Sequence, residues 1–184
     1  MTPLALTQGD PAGVGPELAL QAWKALRGDL SFVYLGSADQ MASLAADAGM
    51  QIARIEDPAR AGAAMPHGLP VLDQPLADVP RPGSASRANA PAVVEAIDRA
   101  VALCQSGAAG GLVTNPIAKH VLVEGAGFAH PGHTEYLAAR AGVDRSVMML
   151  VGDDLKTVPV TIHMPLAEVP AALTSDEIEE LEDR

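Results

Sequence analysis

"PLALTQGDPAGVGPE", residues 3–17, decides the fold. The first six residues form an apolar run too short for a helix, and glycine, aspartate and proline break it at once. Pro16 then suits a first helical position, and Glu17 sits at the favourable end of the helix dipole. A strand that turns abruptly into a helix is the opening unit of an α/β domain, so the spacing predicts a largely parallel sheet flanked by helices. The rest of the chain repeats the pattern. "SFVYLG" (31–36) reads as a second strand, and "SADQMASLAADAG" (37–49) as a helix capped by Ser37 and ended by Gly49. Residues 58–91 are rich in Pro, Gly and Ala, with one strand-like stretch, "LPVLD" (69–73), among loops.

Asn89 is expected to cap a long helix through Ser106, with Val93, Ile97, Val101 and Cys104 along one face. Cys104 on that face reads as core. "AGGLVTNP" (109–116) reads as a strand ending in a polar turn. "SVMMLVG" (146–152) and "TVPVTIH" (157–163) are expected to complete the strands, with "GDDLK" as the turn between them. Thr174 and Glu177 form a capping box for a last, acidic helix whose only apolar anchors are Ile178 and Leu181. It reads either as the start of something longer or as a solvated acidic tail.

Composition narrows the function. The 184 residues carry a net charge of -11 and only three lysines, Lys24, Lys119 and Lys156, which argues against nucleic acid as a partner. Hydrophobic residues reach 48% but aromatics only 3%, so the core must be built from small and branched side chains. One cysteine permits no internal disulfide and fits a reducing compartment. The N-terminus has no signal-peptide pattern, and no stretch is apolar enough to span a membrane. The expectation is a soluble, cytoplasmic protein.

Polar residues gather after the expected strands, where open α/β sheets place their ligands. The turn at 9–17 contains Gly13-Val14-Gly15, but Leu18 stands where a dinucleotide fingerprint has its third glycine, and no phosphate-loop Gly-Lys-Ser/Thr follows. It reads as a tight turn, with Asp10 structural. In "AHPGHTEYLAARAG" (129–142), His133, Thr134 and Glu135 open a helix. Exposed N–H groups, a hydroxyl and an imidazole suit an anionic or hydroxylated substrate, while a solvent-facing cap is the plainer alternative. His130 reads as a turn residue. Lys119, at the start of the helix after "TNP", is placed to meet an anion or is simply exposed. His163, ending an apolar strand, would be buried and neutral as a metal ligand must be, though no other ligand stands nearby in sequence.

"GDPAGVGPE", "LVTNPIAK", "HPGHTEYLA" and "VTIHMPL", in this order and spacing, resemble the 4-hydroxythreonine-4-phosphate dehydrogenase family of pyridoxal phosphate biosynthesis. The resemblance runs from the first strand to about Glu177. It implies an isocitrate/isopropylmalate dehydrogenase-like fold and a homodimer with the active site in the cleft between domains. It also implies an enzyme dependent on NAD or NADP and on a divalent metal (Zn, Mg or Co), acting on a small phosphorylated substrate. Such enzymes oxidise the C3 hydroxyl of 4-phosphohydroxy-L-threonine, and loss of CO2 then gives 3-amino-2-oxopropyl phosphate.

By the same resemblance His133 and Thr134 match the substrate-contacting pair, His163 the first of three metal-binding histidines, and Lys119 a lysine near the active site. The family's other two histidines belong to later Asn-Pro-His and His-Asp-Gln segments that this sequence does not contain. Residues 1–184 are therefore expected to be the amino-terminal part of a two-domain dehydrogenase, inactive alone because one imidazole does not hold a catalytic metal. A dehydrogenase of 4-phospho-threonate or 4-phospho-erythronate, and a non-catalytic module that pairs with another subunit, are the alternatives.

Overall fold

The computed structural model describes residues 2–143, 146–175, 178 and 179. They fall into two units, residues 1–141 and 142–184.

The first unit is built on five parallel strands: β1 (Leu4–Thr7), β2 (Phe32–Gly36), β3 (Ile52–Arg54), β4 (Leu69–Asp73) and β5 (Gly111–Val113), in the order β3-β4-β2-β1-β5. Leu4 of β1 stands opposite Phe32 on one side and Gly111 on the other. Side chains alternate across the sheet, as strand geometry requires. Leu6, Phe32 and Tyr34 face α1 (Gly15–Leu26) and α2 (Ala38–Asp47), burying Leu20, Trp23 and Met41. Ala5, Val33, Leu35 and Leu72 face the other way, against Ala61 of α3 (Ala61–Ala64) and Ala96 and Ala100 of α4 (Ala90–Gln105). Alanines at these helix contacts let α4 lie close to the sheet. This is how a core poor in aromatics is filled. Beyond α4, α5 (Lys119–Ala126) and α6 (His133–Ala141) add a third cluster with Val93, Ile97, Leu122, Phe128 and Tyr136.

Most expected elements of this unit are present. Ser37 caps α2 by accepting a hydrogen bond from Gln40 N, and Gly49 follows with φ +66°. Two readings need correction. Asn89 does not cap α4: its own backbone is helical, and its side chain is bound to the Asp78 backbone through Asp78 N–Oδ1 (2.9 Å) and Nδ2–Asp78 O (3.0 Å). A buried amide that ties a loop down is unavailable as a cap. The Pro-rich stretch 58–91 also contains more structure than loop, with α3 and short 3-10 turns at Pro58–Arg60 and Arg87–Asn89. β3, three residues before that stretch, has no counterpart in the sequence reading; it is an edge strand too short for a visible alternation.

In the second unit the two expected strands shrink to β6 (Leu150–Val151) and β7 (Lys156–Thr157), an antiparallel pair closed by Gly152 N donating to Leu155 O at 2.8 Å. The "GDDLK" turn is thus present. The strand over 157–163 is not: Pro159 has no N–H to extend a ladder. His163 consequently ends no strand. It is exposed, in a bend, with φ +56°. A helical turn does begin at Thr174, whose carbonyl accepts from Ile178 N. The capping-box partner Glu177 and the anchor Leu181 lie outside the described residues. Among the described residues no helix is long and apolar enough to cross a membrane.

β1 is where the chain changes direction. It runs outward from β1 through β2 to the edge strand β3, comes back one position to β4, and then crosses to place β5 on the other side of β1. The loops after β1 and β5 meet at this switch point. Asp10 N donates to Pro116 O (2.8 Å), and Asn115 Nδ2 donates to Thr7 O (2.9 Å). Gly9 has φ +67°, and a Cβ there would stand 2.4 Å from the Pro116 carbonyl oxygen.

Replacing Gly9 with alanine therefore combines an unfavourable backbone conformation with a clash, and should cost at least ~2 kcal/mol in urea unfolding. An unchanged midpoint would contradict the packing described. The sequence's two tyrosines offer a second test. Burial, and secondarily the charge of Glu17, pushes Tyr34 far up from its ordinary 10.0. Burial and the hydrogen bond to Asp98 push Tyr136 up to about 12. Both folded values exceed the unfolded one, so the stability they contribute is intact below pH 10 and is lost as pH rises through 12. Tyrosinate absorbance should be nearly absent at pH 10 and grow only as pH approaches 12; half ionisation at pH 10 in the folded protein would contradict it.

Candidate functional site

The carboxyl ends of the strands carry two different polar environments. The first is a cleft of about 450 Å³ over β1, β2 and β4, between Pro11–Gly13, the start of α2 and the loop Pro75–Pro82. Its charged lining is wholly acidic, formed by Glu17, Asp39, Asp73 and Asp78. Much of this charge already has work to do. Asp39 and Asp73 both pair with Arg54, and Asp73 Oδ1 accepts from Ala38 N at the head of α2. None of its lining residues is a lysine or an arginine. Size alone does not make it a cofactor site.

The second environment lies beside the switch point and contains Lys119, His133 and Thr134, three of the residues singled out from the sequence. The "TNP" turn leaves β5, Asn115 anchors it to β1, and the chain enters α5 at Lys119. α5 ends at Gly127 with φ +64°, a left-handed cap that reverses the chain. Phe128 then packs into the cluster between α4 and α5, and the bend at 130–132 leads into α6 at His133.

Lys119 and His133, fourteen positions apart in sequence, are brought together here. A Cβ at Gly132 would lie 3.6 Å from Lys119 Nζ and 3.5 Å from Glu135 Oε2, so a side chain at 132 would crowd the space into which both reach. His133 is half-buried, with Nε2 shielded from solvent and without a hydrogen-bond partner. Burial, and secondarily the Lys119 charge, holds its imidazole below the ordinary 6.5. At neutral pH the ring is therefore uncharged, with a nitrogen that wants a partner. Thr134 follows it, exposed, in the first helical turn. The first N–H groups of a helix have no internal acceptor, and Tyr136 N, donating to Gly132 O at 3.3 Å, satisfies only one of the early positions. A cation, a helix start and an uncharged imidazole together can hold an anionic, hydroxyl-bearing molecule.

His130 is more than a turn residue. Its ring stands edge-on to Phe128 (5.6 Å between centroids) and to Tyr136 (5.1 Å). Sequence reading took Glu135 only as part of the helix start, not as a neighbour of Lys119, and it missed Asp98, which accepts from Tyr136 OH (2.5 Å) and pairs with Arg140 Nε (2.8 Å). No local signal marks Asp98, because it reaches α6 from a helix more than thirty residues earlier. Asp10 is structural as expected: its Oδ1 accepts from Ala12 N at 3.0 Å. His163 belongs to the 142–184 unit and is exposed there. Among the described residues no three His, Cys, Asp or Glu side chains converge to hold a metal ion. The described residues do not by themselves make up a metal centre.

Comparison with known proteins gives this geometry a family. A model of the family "Pyridoxal phosphate biosynthetic protein PdxA" matches residues 29–183. A 4-hydroxythreonine-4-phosphate dehydrogenase of Methylorubrum extorquens is 48% identical over 187 residues, covering 96% of this chain and 53% of the relative. One from Caulobacter vibrioides is 45% identical, with 96% and 54% covered. The crystal structure of 4-hydroxythreonine-4-phosphate dehydrogenase from Klebsiella pneumoniae superposes with a TM-score of 0.87 at 32% identity, over 98% of this chain and 57% of that one. A terephthalate 1,2-cis-dihydrodiol dehydrogenase from Burkholderia xenovorans, at 21% identity and a TM-score of 0.72, shares the fold. The chain spans about half the length of the curated relatives it matches. With the family model covering most of its length, this chain belongs to the PdxA family of pyridoxal phosphate biosynthetic proteins.

Proposed function

We propose that this chain supplies the substrate-gripping part of a cytoplasmic 4-hydroxythreonine-4-phosphate dehydrogenase. The reaction is the NAD- or NADP-dependent oxidation of 4-phosphohydroxy-L-threonine with loss of CO2, giving 3-amino-2-oxopropyl phosphate. The observation that carries the reading is the convergence of Lys119 Nζ with the buried, unpartnered His133 Nε2 at the start of α6. In this reading Lys119 neutralises an anionic group of the substrate and is the residue nearest the chemistry. The His133 imidazole, uncharged at neutral pH, turns Nε2 out of its shielded position to hydrogen-bond the substrate, and Thr134 offers its hydroxyl alongside. Burial of His133 keeps it from carrying a charge that would add to that of Lys119, so orientation is left to the imidazole and attraction to the ammonium.

A divalent metal (Zn, Mg or Co) would be expected to act on the substrate hydroxyl, and His163 is the residue here proposed to contribute to it. Further ligands are needed besides the described residues. We accordingly assign no turnover to residues 1–184 alone. A homodimer is the proposed assembly; the run Val147–Val151, exposed throughout, supports a contact with another surface.

Two measurements check the reading. In calorimetric titration the chain should bind 4-phosphohydroxy-L-threonine, and Lys119→Ala should weaken binding about tenfold or more, the worth of one charge-assisted hydrogen bond. Equal affinity in wild type and variant would remove Lys119 from the site. The His133 shift sets a pH dependence as well. Its folded pKa is depressed, so its contribution to stability is present above the unfolded value of 6.5 and is lost as pH falls. Urea unfolding should show stability declining from pH 7 to pH 5, with a shallower decline in His133→Gln; identical slopes would contradict the burial described.

A further inference from the structure

α6 is a weakly buried helix. Of its nine residues only Tyr136 is buried, at 8% exposure; His133, Glu135, Leu137 and Ala138 are partly so, and the other four are exposed. A helix with one buried side chain can turn about its axis or slide along its neighbour, and either movement would displace the residue that begins it. Two polar contacts oppose both movements, and they converge on one atom. Asp98 Oδ1 accepts from Tyr136 OH and from Arg140 Nε. Positions 136 and 140 are one turn apart, and position 133 lies three before 136, so all three residues fall on one stripe of the helix. A carboxylate that fixes two points of that stripe fixes the direction in which the third leaves it.

The carboxylate itself is well founded. α4, which carries Asp98, lies against the sheet through Ala96 (0% exposed), Ile97 (1%) and Ala100 (0%). Ile97, next to Asp98, also packs in the cluster that contains Tyr136 and Phe128. Gln105 Nε2, at the end of α4, donates to Arg140 O at 3.4 Å and ties the far end of α6 to the same support. The line of support thus runs from sheet to α4, to one carboxylate oxygen, to two side chains of α6, and so to His133.

We propose that Asp98 is a positioning residue for the candidate site: by holding Tyr136 and Arg140 it sets the rotation and register of α6, and through them the placement of His133 beside Lys119. This rests on the reading of His133 as a substrate contact, but the positioning can be tested without any substrate.

The direct test follows the His133 ring by NMR in the 184-residue chain across pH 4 to 8, in wild type and in Asp98→Ala. The groups that face the ring are Lys119, as the charge acting on it, and Glu135, whose carboxylate shares the space above Gly132. If Asp98 sets its placement, the variant releases the ring from burial, and the His133 titration moves up toward that of an exposed imidazole. Leu44→Ala, which thins the α2 side of the sheet, should leave that titration where it was while lowering thermal stability. Should Asp98→Ala fail to fold, Tyr136→Phe and Arg140→Gln each remove one of the two donors, and each should move the titration part of the way. An unmoved His133 titration in a folded Asp98→Ala chain, or in both single-donor variants, would reduce Asp98 to an ordinary anchor and overturn the proposal. A titration that moves as expected while 4-phosphohydroxy-L-threonine fails to perturb the ring in wild type would leave the positioning intact and remove the substrate assignment instead.

Discussion

Gly9 and Asn115 share a space too small for a methyl group, and the candidate site depends on that fact. The loop after β1 and the loop after β5 are pressed together at the switch point. Two hydrogen bonds hold them, Asp10 N to Pro116 O and Asn115 Nδ2 to Thr7 O. A Cβ at Gly15 would also meet Gln8 O at 2.6 Å and Asn115 Cβ at 3.0 Å, so α1 starts against the same clasp. Gln8, fully buried, adds a third tie by donating to Ala92 O in the first turn of α4. The direction in which α5 leaves the sheet is thereby fixed, and Lys119 is its first residue. Moving the clasp would move Lys119, α4 and the helices packed on it.

Charge is distributed to match. The chain is acidic overall, and the wide cleft over β2 and β4 is lined by carboxylates that cap and tether the scaffold. One end of the sheet therefore carries two unlike surfaces: a cleft lined by carboxylates, two of them paired with Arg54, and a helix start with a lysine and an uncharged imidazole.

Much of this was legible in the sequence. Strands β1, β2, β4 and β5 stand out as apolar runs broken by Gly and Pro, and α2 carries its cap and stop in plain view. His133, Thr134 and Lys119 could be named from their motifs, although the meeting of Lys119 with His133 could not, since it depends on the reversal at Gly127. Where sequence reading erred, either a longer-range partner had overruled a local preference or a local strand-breaker had been outweighed by composition. Asn89 is a good cap by type but is already bound to the Asp78 backbone. "TVPVTIH" has the composition of a strand, but Pro159 interrupts the ladder, and His163 falls in an exposed bend. Asp98 gave no signal, because the two side chains that define its role come from another helix.

The central claim is that Lys119 and His133 form one grip on a phosphorylated hydroxy acid. A crystal structure of the chain with 4-phosphohydroxy-L-threonine bound tests it most directly. The account predicts an anionic group of the ligand against Lys119 Nζ, with a ligand atom within hydrogen-bond distance of His133 Nε2. A ligand lodged in the acidic cleft over β2 and β4, with Lys119 and His133 untouched, would contradict it.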